Sequence, residues 1–420
     1  MARQMKDSGV EWIGEIPEGW RTCKIKDIFQ VVSGATPKSE QPEYWDGDIV
    51  WVTPADYKTN DKFVSSGKRT LTQAGYDSCG TTLVPAGSIV FSKRAPIGSV
   101  AIAQVPLCTN QGCLSCINKG DADTIFFYYV MSIFTKIFEL YGSGTTFKEL
   151  SYDSFTAFAM TNPPLSEQHR IAAFLDRRCA EIDAVIERTK ATIEEYKKLK
   201  QAVITEAVTK GVRGERKMKD SGIAWIGEIA EEHPIIKLKY VCQILDQYRS
   251  PVTADQRSQN GDVLYDYYGA SGPIDKIDGY TIDGHVMLIG EDGANLRLRN
   301  LPLMYEVNGK AWINNHAHIL KPDDGTEFYY LFFALDALDI NPYITGSAQP
   351  KLSQENLKNI LIPMPTLDEQ REITAFIRKR CSALDTLIAK KTSLLTELET
   401  YKKSLIFEYV TGKKEVPACP

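Results

Sequence analysis

The chain has 420 residues, 43% hydrophobic and 25% charged, so it is long enough for two or three domains with their own cores and is not a disordered polymer. No stretch approaches the roughly 20 apolar residues of a membrane span, and the N-terminal "MARQMKDSGVEW" lacks the apolar core of a signal peptide; a cytoplasmic location is expected. The formal net charge of -5 excludes a globally basic nucleic-acid binder, so contact with nucleic acid must rest on local basic patches or on a basic partner.

In chain order, a short leader, "MKDSGVEWIGEI" at 5–16, precedes a first block, 17–162. This block is rich in aromatic and β-branched residues broken by Gly, Pro, Asn and Asp turns, as in "DIVWVTPADY" and "GSIVFSKRAPIGSVAIA". The pattern predicts a mainly β domain with a short helix at "DTIFFYYVMSIFTKIFELY". Within it Cys108, Cys113 and Cys116 have a C-x4-C-x2-C spacing known from iron–sulfur proteins. No fourth cysteine follows until Cys179, which falls in a predicted helix, so the trio reads better as small hydrophobes on buried strands. Nine scattered cysteines fit a reducing compartment.

The block ends on two fragments that suggest a methyltransferase. Gly142-Ser143-Gly144-Thr145-Thr146 looks like a cofactor-binding turn, and Asn162-Pro163-Pro164-Leu165 looks like the Asn-Pro-Pro-aromatic motif of adenine N6 methyltransferases. That chemistry needs an aromatic to stack on the flipped base, and residue 165 is leucine. The prolines read better as the stop of a strand, with Ser166, and later Asp368, as N-caps of the helices that follow.

From there each of two runs continues for about 40 residues without Pro or Gly, roughly 60 Å of helix at 1.5 Å per residue. In the first, Ile171, Leu175, Arg178, Ile182, Val185, Thr189, Thr192, Tyr196, Leu199 and Val203 follow a 4,3 spacing. In the second, the same spacing takes Ile373, Ile377, Arg380, Leu384, Leu387, Lys391, Leu394, Leu398, Tyr401 and Leu405. Two heptad seams in one chain bury each other most simply as an intramolecular coiled coil, and Gly211 and Gly412 mark their ends. Between them lie a second leader, "MKDSGIAWIGEI" at 218–229, and a second β-rich block, 234–364, with a helix at "EFYYLFFALDAL".

The chain therefore repeats itself. "PPLSEQHRIAAFLDRRCAEIDAVI" from Pro163 returns as "PTLDEQREITAFIRKRCSALDTLI" from Pro365, without a gap and at a constant offset of 202. Where the first copy has the glycine-rich turn, the second has "TGSAQPKLS", and Asn162 faces Met364, which argues against a catalytic motif. Leaders and long helices are copied while the blocks diverge, the pattern of one scaffold used twice with two ligand specificities.

The leaders "SGVEWIGEIPEGW" and "SGIAWIGEI", the stretches "SGATPKSEQPEYWDGDIVWVTPADY" and "YGASGPIDKIDGYTIDGHVMLIGEDGANL", and the pair "PPLSEQHRIAAFL" and "GSAQPKLSQENLKNILIPMPTLDEQREI" resemble, in this order, the specificity subunit of type I restriction–modification systems. The resemblance covers nearly the whole chain. It implies an α+β fold with two mainly β target-recognition domains, each followed by a long helix, the helices pairing as an antiparallel coiled coil in a pseudo-twofold repeat. The expected divisions are a first recognition domain with its leader at 1–162, a central helix at 163–215, a second recognition domain at 216–364, and a C-terminal helix and tail at 365–420. Each recognition domain is expected to read one half of a bipartite, asymmetric DNA target. Methyltransferase subunits, usually two, would bring S-adenosylmethionine, and motor–nuclease subunits would bring ATP and Mg chemistry. This chain would hold no cofactor and no catalytic residue. The rival reading of the same architecture is a coiled-coil adaptor with two β-rich heads that bind proteins or glycans.

Base reading calls for short polar side chains and Arg or Lys on loops that reach a groove. The candidates in the first block are Thr36, Lys38, Thr53, Asp56, Lys93, Arg94, Thr145, Thr146 and Lys148. In the second they are Tyr268, Ser271, Asn295, Arg297, Arg299, Asn314, Asn315, His316, Ser347, Gln349 and Lys351. A solvated turn or a cap is the plain alternative for each. His316 and His318, two apart, would share a strand face, but with no nearby cysteine and no convincing carboxylate partner they read as strand ordering or DNA contact, not as metal ligands. "GEDGAN" lacks the spacing of an EF-hand loop.

Overall fold

The computed structural model describes residues 3–57, 61–94, 96–143, 148–224, 226–253, 257, 263–337 and 339–417. Two compact units divide the chain: Met1–Thr189 together with Ser393–Pro420, and Lys190–Thr392. Each unit contains a leader hairpin, a β-rich head and one part of each of two long helices, Leu165–Lys210 and Leu367–Val410.

In the first unit the leader forms a small antiparallel hairpin, Met5–Asp7 against Glu15–Pro17. The head is built on a five-stranded sheet in the spatial order Phe29–Ser33, Cys113–Asn118, Ile89–Ser92, Val100–Ala103, Phe63–Val64. Ile89–Ser92 and Val100–Ala103 are apolar without alternation because both faces are covered. Ile89, Phe91, Val100 and Ile102 face the helix Thr124–Ile133 and the long helices, whereas Val90, Ala101 and Ala103 join a second cluster with Val52 and Leu107. Asp123 caps the Thr124–Ile133 helix, its carboxylate accepting from the amides of Ile125 and Phe126. A further sheet places Trp45–Val52 between Leu107–Thr109 and Arg69–Leu71.

The second unit repeats the plan with other residues. Its leader hairpin pairs Met218–Asp220 with Glu228–Ala230. Its head is a six-stranded sheet in the order Cys242–Ile244, Ala317–Pro322, Ile282–Gly290, Met304–Ile313, Leu264–Gly269, Gly272–Asp278. The helix Phe328–Ala337 packs Tyr330, Leu331, Ala334 and Leu335 into the same core as Met287, Ile289 and Leu320.

The fold is α+β, and within each unit the long helices run antiparallel. Asp183 pairs with Lys402 at 2.7 Å in the first unit, and Lys200 with Asp385 at 2.7 Å in the second. These two bridges are the same pair of repeat positions, each residue lying 202 from its equivalent. Exposed pairs contribute about 0–1 kcal/mol, so the apolar seam does most of the holding.

That seam differs in phase from the 4,3 spacing read off the sequence. Its inward positions are Ile171, Leu175, Cys179, Ile182, Ile186, Thr189 and Ile193, while Val185 and Leu199 are exposed. In the second helix Ile373, Ile377 and Cys381 are buried and Leu384, Ile388, Lys391, Leu395 and Leu398 follow partly buried, while Arg380, Leu387, Leu394 and Tyr401 face out. Both helices begin with two four-residue steps before alternation sets in, as a 3.6-residue period allows. The helix starts also differ from expectation. They begin at Leu165 and Leu367, which places Ser166 and Asp368 inside the first turn. The carbonyls of Pro164 and Thr366 accept from the amides of Gln168 and Gln370, so the preceding backbone satisfies that turn.

The repeated Glu-Gln pair explains how each helix start is fastened. The side-chain amide of Gln168 donates to the carbonyl of Pro163 and accepts from the amide of Asp123; Gln370 does the same with Pro365 and Glu327. Glu167 accepts from Arg3 at 2.6 Å and from Trp20 Nε1 at 2.8 Å. Its equivalent Glu369 meets Arg216 at 2.7 Å and His233 Nε2 at 3.2 Å.

Candidate nucleic-acid interface

In each head, loops from distant parts of the sequence meet at the ends of the central strands. In the first head the amide of Asn110 donates to Val52 O, and the Asn110 side chain accepts from the amide of Gly112, an Asx turn. The amide of Lys93 donates to Gly112 O, and that of Leu150 donates to Lys93 O. Ser143 and Glu149 exchange two backbone hydrogen bonds at 3.0 Å. The loop after Trp45–Val52, the turn 110–112, the loop after Ile89–Ser92 and residues Ser143, Glu149 and Leu150 are thereby tied into one patch.

The second head repeats this frame bond for bond. Asn314 N donates to Tyr268 O, Asn314 Oδ1 accepts from His316 N, Glu291 N donates to His316 O, and Leu352 N donates to Glu291 O. Thr345 and Lys351 exchange backbone hydrogen bonds at 2.9 and 2.8 Å. The ladder and its Asx residue are the same, and the charged side chains along it are not.

Most of the sequence candidates fall on these patches. Thr36 donates to Gln111 across the first one. Thr53 and Asp56 are turned on each other: the Asp56 carboxylate accepts from Thr53 N and Oγ1 and from Lys68 N, so it is engaged in shaping its loop. Lys93 and Arg94 both meet the Glu149 carboxylate at 2.9 Å. These cations, hydrogen-bonding Glu149 from Lys93 first, hold its carboxyl below the usual range against the opposing effect of burial. Lys148 is exposed beside them. Lys38 is exposed, and its carbonyl accepts from Trp45 Nε1. Thr145 and Thr146 lie outside the described residues.

In the second head Asn315 and His316 are exposed, and His316 Nδ1 lies 2.7 Å from Asp292. Asn314 is buried as the Asx residue. Ser347, Gln349 and Lys351 are exposed on one loop, and Arg297 donates to the carbonyls of Ile344 and Gly346 at its base. Tyr268 and Ser271 are half-buried at the hairpin beside Asn314, and burial raises the Tyr268 phenol. Two candidates serve local structure: Asn295 holds the Leu301 and Pro302 carbonyls, and Arg299, at φ +48°, donates to Asp336 O.

His316 and His318 do have carboxylate partners, contrary to the sequence reading, but different ones. His318 is fully buried, with Nδ1 2.7 Å from Asp246 and Nε2 2.8 Å from Leu352 O. Burial alone would raise the Asp246 carboxyl; the hydrogen bonds and charge of His318, with the Ile319 amide and Gln354, bring it below its ordinary value. Cys108, Cys113 and Cys116 likewise separate into three hydrophobic clusters. Burial pushes the Cys108 thiol up to about 11 and that of Cys113 to about 12. Among the described residues no three His, Cys, Asp or Glu side chains are grouped to hold a metal ion.

Sequence reasoning missed Asn110 and Gln111 in the first patch, and Arg249 in the second, which bonds Glu291 and the Asn315 carbonyl. The Asx pattern shared by Asn110-x-Gly112 and Asn314-x-His316 was the available signal. Among the described residues no helix is long and apolar enough to cross a membrane.

Comparison with known proteins agrees with this architecture. A 192-residue stretch is 37% identical to the specificity subunit of the type I restriction enzyme MjaIX of Methanocaldococcus jannaschii, covering 44% of this chain and 43% of that relative's length. The EcoprrI specificity subunit of Escherichia coli is 26% identical over 376 residues, 84% of this chain and 86% of the relative. A chain from a structure concerned with complex assembly and conformational transition of the type I R-M system matches in fold with a TM-score of 0.73 at 16% identity, over 95% of this chain and 99% of that one. The family model for the type I restriction modification DNA specificity domain matches twice, at residues 17–195 and 231–399, once on each head with the helix that follows it. The chain belongs to the type I restriction-modification DNA specificity family.

Proposed function

We propose that this chain is the non-catalytic sequence-reading subunit of a type I restriction–modification complex, each head recognising one half of a bipartite, asymmetric duplex target. The observation that carries this reading is the pair of loop patches, alike in backbone frame and different in side chains. A shared frame with different polar tips suits two readers of different base sequences. The exposed candidates Lys38, Gln111, Lys148, Asn315, His316, Ser347, Gln349 and Lys351 are the groups offered to base edges and phosphates. With a net charge of -5, such local cations and partner subunits would supply the attraction to phosphate.

The long helices, 46 and 44 residues, act on this reading as the spacer that sets the gap between half-sites, and they, with the leaders, offer the docking surface for two methyltransferase subunits. Those partners bring S-adenosylmethionine and flip the adenine; motor–nuclease subunits bring ATP-driven cleavage; the complex works in the cytoplasm. The test is adenine-methylation sequencing of the strain with and without this gene. One bipartite motif should vanish with the gene. Replacing residues 17–162 by the equivalent block of a relative should then change one half of that motif and leave the other. An unchanged methylome, or a swap that alters both halves, would overturn the reading.

A further inference from the structure

The two patches carry the same ladder with its charges reversed. In the first head the loop after the central strand is cationic, Lys93 and Arg94, and the facing residue is Glu149. In the second head the same loop is anionic, Glu291 and Asp292, and the facing residue is Lys351, whose Nζ lies 3.1 Å from Glu291 Oε1. The equivalence is fixed by backbone as well as by sequence. Lys351 stands 202 residues after Glu149. Arg94 bridges Glu149 as Asp292 bridges Lys351, and Leu150 N reaches Lys93 O as Leu352 N reaches Glu291 O.

In both heads the inner residue of the loop is the more enclosed member of the pair. The Lys93 side chain is 15% exposed against 35% for Glu149, and Glu291 is 15% exposed against 55% for Lys351. An ion enclosed to that degree needs a partner of opposite sign, because an unpaired charge there would face a large desolvation cost; Lys93 has Glu149, and Glu291 has Lys351 across the ladder together with Arg249. The heads have changed the identity and the sign of both partners, yet the pairing stands in each.

We propose that this pair is a positioning latch for sequence reading, and that its polarity is interchangeable: opposite charges on the two loops are required, whichever loop carries which sign. The latch holds Glu149 and Leu150, and in the other head the Ser347–Lys351 stretch, against the turn at Asn110 or Asn314. The proposal rests on the reading of these loops as DNA-reading elements. On it, Lys93 and Arg94 are positioning residues that act through Glu149, and phosphate contact is left to neighbours such as Lys148.

The test uses three chromosomal changes in the strain that carries the gene: a deletion, Glu149→Lys, and the triple change Lys93→Glu, Arg94→Asp and Glu149→Lys, which gives the first head the polarity of the second. The readouts are the fraction of motif sites methylated after a short fixed induction, the base preference at each motif position, and the abundance of the chain by immunoblot. Glu149→Lys sets three cations together and should lower methylation roughly tenfold, the scale of coupling between touching charged residues, with base preference relaxed in one half of the motif only. The triple change should recover methylation to within about twofold of the parent, although it makes the patch more acidic.

A deletion that erases no motif overturns the DNA-reading function on which the latch rests. A deletion that erases the motif, with Glu149→Lys behaving as the parent or the triple change no better than Glu149→Lys, overturns the latch alone. Disappearance of both variants from the immunoblot also overturns it, because the pair would then be a requirement of folding and not of reading.

Discussion

The long helices and the loop ends of the heads have diverged in different ways. Along the long helices both backbone and side chains recur: at the starts Gln168 and Gln370 make the same two bonds, and farther along Asp183–Lys402 returns as Asp385–Lys200. At the loop ends the backbone frame recurs with its Asx residue, Asn110 or Asn314, while the charged and exposed side chains differ, with Lys93 replaced by Glu291 and Gly112 by His316. The charged helix positions meet the other repeat, Asp183 with Lys402 and Lys200 with Asp385, so a change in one copy needs a matching change in the other. The head loops face solvent and their own neighbours, so each head can change alone. This difference suits the proposed arrangement of one scaffold carrying two independent readers.

The strongest way to break the comparison is to alter the scaffold in one copy alone. Inserting four residues after Glu187 rotates the rest of that helix away from its seam, and the soluble yield of the full chain should collapse. Inserting one heptad after Glu187 and another after Ala389 keeps both seams facing and lengthens each helix by roughly 10 Å at 1.5 Å per residue. That is about three base pairs at 3.4 Å each. The methylated half-sites should stay the same while the gap between them grows, unless the added twist of the duplex demands bending that lowers occupancy. Full modification at the original gap alone would remove the spacer role.

The acidic anchors come next. Glu369 is almost wholly enclosed, its side chain 3% exposed beside Arg216 and His233, whereas Glu167 is 20% exposed beside Arg3 and Trp20. Glu369→Ala leaves the enclosed Arg216 guanidinium with only the exposed Glu232 as its carboxylate partner and should cost about 3 kcal/mol. Glu167→Ala loses hydrogen bonds that water partly replaces, about 1 kcal/mol. Because the two units need not melt together, hydrogen exchange resolved along the chain is the right measurement. Faster exchange is expected in leader 218–229 for the first variant and, more weakly, in leader 5–16 for the second. Equal effects would mean that enclosure does not distinguish the two anchors.

A pH experiment sharpens the comparison of the heads. For Glu291 burial acts upward, but Arg249, Lys351 and His318 bring the carboxyl below its usual range; Glu149 is lowered by Lys93 and Arg94. A carboxylate with a lowered folded value adds stability above its unfolded value, and that contribution fades as pH falls through the folded one. Glu291→Gln and Glu149→Gln should therefore melt below the parent near neutral pH and converge with it in acid. The neutral-pH gap should be wider for Glu291, whose side chain is 15% exposed against 35% for Glu149. A gap that widened on acidification would contradict the assigned ion pairs.

Much of this was legible in the sequence for physical reasons. Repetition showed the scaffold directly, and unbroken helical runs ending at Gly211 and Gly412 gave the elements to within a residue or two. The seam phase was less accessible: Arg178 and Cys179 both fit an alternating pattern, and only the partner helix decides that Cys179 turns inward. The loop patches were legible as residue types and not as contacts. Arg299 and Lys93 looked free to meet DNA, but each is held by a group that sequence spacing does not place nearby, Asp336 for Arg299 and Glu149, 56 positions beyond Lys93; Asp56 is held by Thr53, three positions away. Asn110 escaped because an Asx turn looks like any other polar loop until the bond to Gly112 is seen.

The smallest expected effect concerns the repeated surface bridges. Lys402 is 21% exposed and Asp183 49%; Lys200 is 33% exposed and Asp385 55%. Each is a lysine reaching from one helix to the other with both partners still in water, the setting in which an ion pair contributes about 0–1 kcal/mol. Lys402→Ala and Lys200→Ala should each lower stability by no more than about 0.5 kcal/mol, with Lys402 slightly the greater because it is more enclosed. Both losses should shrink further in high salt, which screens exposed charges over about 3 Å at 1 M. Exchange rates of the helix amides around 183 and 385, measured at low and high salt, check this. A loss above about 2 kcal/mol in either variant would mean that the bridges, and not the apolar seam, hold the helices together, and the spacer would then soften with ionic strength.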